Sequence, residues 1–229
     1  MLTSAFPAPE TPDPMSRAAP RRDALTLEGP AGRLETLLEE PKLVSGSAVA
    51  VFCHPHPQYQ GTMLNKVVQT LCRAANGLGA PAVRFNFRGV GASDGVYSKG
   101  HGETEDTLAV IDWARRRYPG AELWLGGFSF GSMVACRAAL TASPARLVSV
   151  APPAPGIAQF LAGEQPDCPW LIVQGAADEV CDCDAVVDWV NSMTPGPELV
   201  VLEGVDHFFH GRLTVLRETV AGFLGGAPT

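Results

Sequence analysis

The chain has 229 residues, a formal net charge of −7 and a hydrophobic fraction of 46%. This length and apolar content can bury one substantial core without disulfides or a structural metal, so a single domain is expected. The basic residues are dispersed along an acidic chain, which argues against nucleic acid as a partner. No apolar run reaches about 18 residues, so we expect a soluble, cytoplasmic protein with no membrane partner.

The chain is expected to begin with a flexible segment. Residues 1–23 are rich in proline and alanine and show no hydrophobic periodicity, which predicts a flexible N-terminal tail, with Met15 as an alternative start. Residues 24–226 then form one domain. Its first elements are two short strands at 25–28 and 34–38, separated by a Gly-Pro-Ala-Gly turn, and together they predict an antiparallel hairpin.

Strands and helices alternate after the hairpin. We predict strands over 48–53, 82–85, 122–125, 147–150, 170–173 and 199–202, and helices over 63–78, 103–117, 130–142, 184–193 and 213–223. This order implies βαβ crossovers, and so a mostly parallel sheet with helices on both faces and the hairpin as an antiparallel edge. Ligands bind such sheets outside the C-terminal ends of the strands, so residues that follow each strand are the candidates for a site.

A possible nucleophile follows the strand at 122–125. Ser129 lies in Gly127-Phe128-Ser129-Phe130-Gly131, between this strand and the helix at 130–142. The pattern is that of a nucleophile elbow, whose sharp turn requires small residues on either side of the serine. In a chain with 24 glycines the pentapeptide can also arise by chance, so it is not decisive alone.

A possible acid follows the strand at 170–173. A carboxylate at Asp178 could fix the tautomer of a histidine and stabilise the imidazolium that forms when a serine loses its proton. Glu179, Asp182 and Asp184 are alternatives that could equally be solvated or helix-capping charges. We predict Asp178.

A possible general base follows the last strand. Histidine has a pKa near neutral pH, and both His207 and His210 lie in this loop. His207 is nearer to the strand end and has aromatic neighbours, so we predict His207. The chain order Ser129, Asp178, His207 is that of the α/β-hydrolase fold and differs from the chymotrypsin and subtilisin orders.

The loop after the strand at 48–53 should complete an oxyanion hole. One donor is expected to be the N–H of Phe130, and the second an N–H of His56, Gln58 or Tyr59, because the prolines between them have none. We predict His56. His54 and His56 also suggest a metal site, but no third ligand accompanies them, and we expect no metal.

A glycine-rich loop follows the strand at 82–85. Its glycines do not match the dinucleotide pattern G-x-G-x-x-G, and it does not follow the first crossover, so no nucleotide or other cofactor is expected. Arg88 and Ser93 in this loop are instead expected to support the active-site loops.

Three of the six cysteines are expected to be buried free thiols. Cys53, Cys72 and Cys136 lie in apolar or helical patterns and should be buried, whereas Cys168, Cys181 and Cys183 are expected to be more exposed. The Cys181-x-Cys183 pair lacks a matching second pair, which argues against a zinc site.

From about residue 29 onward the sequence resembles small, mostly bacterial α/β-superfamily hydrolases that lack a large cap domain. Besides the loops above, the resemblance depends on the His-Pro-His-Pro segment at 54–57 and on the stretches at 61–68 and 84–95. The chain departs from the family pattern at Gln60, where glycine is expected, and at Cys181, where an aliphatic residue is expected.

The resemblance implies a triad of Ser129, Asp178 and His207 and esterase-like activity on a small-molecule acyl substrate. The link between 150 and 169 is short, so we expect an open pocket, suited to small or medium acyl esters or thioesters. Its walls are predicted to be aromatic, namely Tyr59, Phe128, Phe160, Phe208 and Phe209. An acyltransferase with the same triad and a catalytically silent binding protein stay open as alternatives, and the oligomeric state also stays open, a homodimer included.

Overall fold

A computed structural model of the chain describes residues 19–226. The described residues form a sheet of eight strands, six α-helices and a short 3-10 helix at Pro57–Tyr59. The strands are β1 (Arg21–Gly29), β2 (Gly32–Glu40), β3 (Ala48–Cys53), β4 (Ala82–Phe85), β5 (Glu122–Phe128), β6 (Arg146–Val150), β7 (Trp170–Gly175) and β8 (Glu198–Leu202). The helices are α1 (Lys66–Gly77), α2 (His101–Arg117), α3 (Phe130–Ala142), α4 (Ala154–Leu161), α5 (Cys183–Asn191) and α6 (Leu213–Leu224).

The strands form one sheet in the order β1-β2-β4-β3-β5-β6-β7-β8. The hairpin β1-β2 is antiparallel and pairs antiparallel with β4, whereas every pair from β4 to β8 is parallel. The parallel strands place their C-terminal ends along one edge of the sheet, which is where the predicted site residues follow. The expected fold class, with an antiparallel hairpin at the sheet edge, is confirmed.

The core has two layers, one on each face of the sheet. Side chains of a strand point alternately to opposite faces. In β3, Val49, Val51 and Cys53 pack into the layer covered by α2 to α5, whereas Ala50 and Phe52 pack into the layer covered by α1 and α6. Burial on both faces explains why the central strands are continuous apolar runs.

Several boundaries differ from the predictions. Residues 21–23, expected in the tail, begin β1, and residues 1–18 with Met15 lie outside the described residues. Helix α1 begins three residues later than predicted because the Asn65 side chain accepts the N–H groups of Val67 and Val68 as an N-cap.

The connection after β6 is not a plain link. It holds α4, whose eight residues pack against α3 and α5. Prolines and a glycine obscured its helical periodicity in the sequence, although a proline at the first turn of a helix is well tolerated. No helix within residues 19–226 is long and apolar enough to cross a membrane.

Candidate active site

Ser129 occupies a strained turn between β5 and α3. Its backbone has φ 54° and ψ −121°, a region that residues with a side chain rarely adopt. A Cβ at Gly127 would lie 2.2 Å from the carbonyl oxygen of Gly131, and one at Gly131 would lie 2.4 Å from that of Cys53. The two glycines are therefore required by close backbone contacts, as the sequence pattern predicted.

Replacing Gly131 with alanine should damage the turn and the neighbouring loop together. The new methyl group would clash with the carbonyl oxygens of Cys53 and His54, both backbone atoms that cannot rotate away. We expect the free energy of unfolding to fall by about 1–3 kcal/mol. Displacement of an oxyanion donor should lower kcat by on the order of a hundredfold.

Gly77→Ala is the matched control for this prediction, because nothing lies within 4 Å of a Cβ at Gly77. Urea denaturation and ester hydrolysis should show both losses in Gly131→Ala only. Normal stability and kcat in Gly131→Ala would contradict the close packing of the elbow.

Asp178 and His207 are brought together by the loops after β7 and β8. His207 Nδ1 lies 2.8 Å from Asp178 Oδ2, which also accepts the side-chain amide of Gln174 at 3.1 Å. Asp178 Oδ1 accepts the N–H groups of Val180 and Cys181 at 2.8 and 2.7 Å. Burial alone would raise the pKa of Asp178, but these hydrogen bonds outweigh it and hold the pKa below its usual value. The carboxylate is thus ionised and fixed in orientation.

The alternative acids have other roles or none. The carboxylate of Asp182 caps α5 by accepting the N–H of Ala185 at 2.9 Å, Asp184 lies in the first turn of that helix, and Glu179 is exposed. Of the carboxylates in this loop, only Asp178 contacts His207 within the described part of the chain.

The alternative histidine, His210, pairs with a different carboxylate from the one that His207 contacts. His210 Nδ1 lies 2.7 Å from Asp206 Oδ2, and both side chains are exposed. His207, by contrast, is only 3% exposed and contacts the rings of Phe128 and Phe208, at centroid distances of 4.9 and 5.1 Å. The structure therefore places His207, and not His210, among buried partners.

The predicted aromatic walls are partly wrong. Phe128 and Phe209 are completely buried. Phe128 packs into the α1/α6 layer and against His207, and a left-handed backbone at Phe209, with φ 56°, directs that ring into the same layer. Phe208 and Tyr59 are 46% and 83% exposed and stay available to a ligand.

Of the three N–H groups predicted as oxyanion donors in the loop after β3, only that of His56 has no acceptor within residues 19–226. The N–H of Gln58 donates to His56 Nδ1 at 3.2 Å, and those of Tyr59 and Gly61 donate to the His56 carbonyl oxygen, each at 3.0 Å. Within residues 19–226, no protein atom accepts the N–H of His56 or that of Phe130. These contacts favour the pair of donors predicted from the sequence.

The His56 ring is held by its neighbours. Because Nδ1 accepts the Gln58 N–H, Nε2 carries the proton and donates to the Tyr97 hydroxyl at 3.0 Å. The ring also packs against Phe130, at a centroid distance of 4.8 Å. Burial lowers the pKa of His56, against the opposing charge of Glu103. Tyr97 was not identified from the sequence, since no local pattern marks its contact with a distant loop.

His54 is a structural residue. It is completely buried, its Nε2 accepts the N–H of Phe87 at 3.0 Å, and its Nδ1 therefore donates to the Pro55 carbonyl oxygen at 2.6 Å. Both ring nitrogens are occupied, so His54 and His56 do not form the metal site that their spacing suggested.

The burial of His54 predicts a loss of stability in acid. Burial lowers the pKa of His54 from 6.5 to about 4. Between these pH values His54 binds a proton in the unfolded chain but not in the folded chain. The free energy of unfolding therefore falls as pH falls, by about 3 kcal/mol in all. Urea denaturation from pH 7 to pH 4 should show this decline.

The decline should be shallower in His54→Gln than in wild type. His101→Gln, which removes an exposed histidine, is the control and should follow wild type. Equal slopes in wild type and His54→Gln would contradict the assignment to His54.

Contacts around Met63, which no local sequence pattern indicates, link the stretches at 61–68 and 84–95. The N–H of Met63 donates to Asn86 Oδ1 at 2.8 Å, and its carbonyl oxygen accepts Arg84 at 2.5 Å. Arg84 is itself paired with Glu39. Strand β4 and the residue after it thereby fix the end of the His56 loop.

The loop after β4 is held at both ends. Arg88 binds Asp106 of α2 through two nitrogens, at 3.0 and 2.7 Å. The Ser93 hydroxyl donates to the Asn86 carbonyl oxygen at 2.7 Å and accepts the N–H of Glu35 at 2.9 Å. Both residues support the loops around the site, as predicted.

The cysteines are free in the described structure, and one lies elsewhere than predicted. Cys53, Cys72 and Cys136 are completely buried, as expected. Cys181, expected to be exposed, is only 7% exposed, because the turn held by Asp178 directs its thiol inward, beside Ser129. This turn could not be predicted from the sequence, because nothing in the sequence distinguishes an aspartate that accepts nearby N–H groups from any other aspartate in a loop.

The chain matches a family model and a relative from another organism. A family model described as the alpha/beta hydrolase fold matches residues 62–167. An uncharacterised protein of Rickettsia prowazekii is 32% identical over 206 residues, 86% of each chain.

Two solved structures match almost completely. An alpha-beta serine hydrolase homologue from Coxiella burnetii is 45% identical with a TM-score of 0.83, covering 88% of this chain and 97% of that one. A serine hydrolase without lid from Xanthomonas campestris is 42% identical with a TM-score of 0.84, covering 91% and 96%. The chain therefore belongs to the α/β-hydrolase fold family, as a homologue of its lid-less serine hydrolases.

Proposed function

We propose that the protein is a serine hydrolase of the carboxylesterase or thioesterase type, which cleaves small to medium acyl substrates through an acyl-enzyme on Ser129. The observation that carries this proposal is the 2.8 Å contact between Asp178 and His207 at the sheet edge where Ser129 occupies its strained turn. The serine hydrolase relatives support the same reaction class.

The first half-reaction acylates the serine. Ser129 Oγ attacks the substrate carbonyl carbon while His207 Nε2, the nitrogen that Asp178 leaves free, takes the hydroxyl proton. The N–H groups of His56 and Phe130 stabilise the oxyanion. When the intermediate collapses, the bond to the leaving alcohol or thiol breaks and that group takes the proton from His207.

The second half-reaction releases the acyl group. Water attacks the ester carbonyl carbon and gives a proton to His207. The bond to Ser129 Oγ then breaks, the serine recovers its proton from His207, and the carboxylic acid leaves. Asp178 stabilises the imidazolium in both halves without accepting a proton.

The substrate is proposed to be small or medium in size because the site is open. The connection between β6 and β7 holds only the eight-residue helix α4, and the exposed rings of Phe208 and Tyr59 offer limited apolar area. Hydrolysis of nitrophenyl esters should be fastest for short acyl chains. A strong preference for long chains would contradict this substrate class.

The same ester panel separates hydrolysis from acyl transfer. With a short-chain ester, added alcohol should leave free acid as the main product, which chromatography measures alongside nitrophenol release. A predominance of the new ester would show an acyltransferase. No turnover of any ester by folded protein would favour the catalytically silent binding protein.

A further inference from the structure

A sulfur atom lies among the groups assigned to catalysis. One ligand atom from each of Asp178, Cys181 and His207 lies within 4.8 Å of the other two. The thiol belongs to the turn in which Asp178 Oδ1 accepts the Cys181 N–H, so its position is set by the backbone that also fixes the carboxylate.

This set of groups has the chemistry of a zinc site. Thiolate, imidazole and carboxylate are the three ligands that zinc uses in proteins, with bonds of about 2.0–2.3 Å. Tetrahedral coordination at those lengths holds ligand atoms about 3.3–3.8 Å apart. The widest separation in the cluster, at most 4.8 Å, must therefore shrink by no more than about 1.5 Å. The fourth position is free for water.

Burial protects the thiol from other reactions. It raises the pKa of Cys181 to about 12, the charge of Asp178 adds to the shift, and the Ser129 hydroxyl beside the thiol opposes it. A neutral thiol reacts slowly with oxidants and alkylating agents. Metal ligation also requires the thiolate, and a bound cation supplies the positive charge that releases the thiol proton.

We infer that Asp178, Cys181 and His207 form an inhibitory site for zinc or another thiophilic divalent cation. Inhibition rests on the proposed function, in which His207 is the base. A cation on Nε2 removes the lone pair that accepts the Ser129 proton, and a cation on Nδ1 removes the 2.8 Å hydrogen bond that orients the ring. Either mode stops turnover.

The ligand set also predicts selectivity among cations. Mg²⁺ and Ca²⁺ prefer oxygen ligands and should not inhibit.

The test combines a rate with a spectrum. Metal-free wild-type protein is titrated with Zn²⁺ during hydrolysis of a short nitrophenyl ester, and separately with Co²⁺, whose bond to a thiolate gives a charge-transfer band in the near ultraviolet. Wild type should lose activity with Zn²⁺, recover it with a chelator, resist Mg²⁺ and show the cobalt band.

Two matched variants locate the site. In Cys181→Val the Zn²⁺ concentration for half inhibition, measured against that protein's own metal-free rate, should rise at least about tenfold, and the cobalt band should vanish. Cys183→Val removes a neighbouring thiol outside the cluster and should behave as wild type. Equal inhibition of wild type and Cys181→Val, or no cobalt band in wild type, would overturn the inference.

The two readouts keep the metal site and the enzyme activity distinct. A cobalt band that depends on Cys181, in a wild-type protein that hydrolyses no ester, would support the metal site and refute the proposed function. Normal hydrolysis with no cobalt band would refute the metal site alone.

Discussion

Asp178→Asn is expected to lower kcat by about 10⁴-fold while the protein stays folded. The asparagine oxygen will face the two backbone N–H groups of Val180 and Cys181, so its NH₂ group will face Gln174 and His207. The NH₂ group of the asparagine and the N–H at His207 Nδ1 are then two hydrogen-bond donors that face each other with no acceptor. The ring must shift its proton to Nε2, and that tautomer cannot accept a proton from Ser129.

Asp182→Asn is the control for this prediction, because asparagine caps a helix as well as aspartate does. It changes a carboxylate in the same loop that caps α5 and does not contact His207. Ester hydrolysis and thermal unfolding of both variants should show the loss of kcat in Asp178→Asn alone. An unchanged kcat in Asp178→Asn would remove Asp178 from the triad.

Glu39→Leu is expected to lower the free energy of unfolding by about 3–5 kcal/mol. Arg84 and Glu39 form an ion pair at 2.8 Å in which both side chains are 2% exposed. Without the carboxylate, the positively charged Arg84 guanidinium has no counter-charge in the core. Arg22, which pairs with the other side of Glu39, is also a cation and cannot replace the lost carboxylate. The Met63 loop that Arg84 supports should loosen as well.

The double variant Glu39→Leu/Arg84→Met tests this explanation, since it removes both charges and should recover much of the stability. Urea denaturation measures both variants. A loss below about 1 kcal/mol in Glu39→Leu, or a double variant less stable than the single one, would contradict the cost of an unpaired buried charge.

The parts of this protein that could be predicted from sequence are those with local patterns. Runs of apolar residues predicted the buried strands, and Gly127 and Gly131 marked the turn at Ser129, because close backbone contacts allow no side chain there. The order of Ser129, Asp178 and His207 along the chain then favoured the fold.

The parts that could not be predicted depend on contacts distant in sequence. The Tyr97 hydroxyl binds His56 across 41 positions, and nothing near either residue indicates it. Phe209 faces the core because its backbone is left-handed, and a phenylalanine in the sequence does not indicate that conformation. The side chain of Gln174 supports Asp178, and its only signal was a polar residue at the end of an apolar strand.

Ser129 is proposed to be an activated nucleophile, and a fluorophosphonate probe, which reacts with such serines, tests this proposal. Folded wild-type protein should gain one probe adduct per chain, located by mass spectrometry on the peptide that contains Ser129. Ser129→Ala, with the same thermal unfolding, should gain none. An unlabelled wild type, or equal labelling of Ser129→Ala, would contradict the claim.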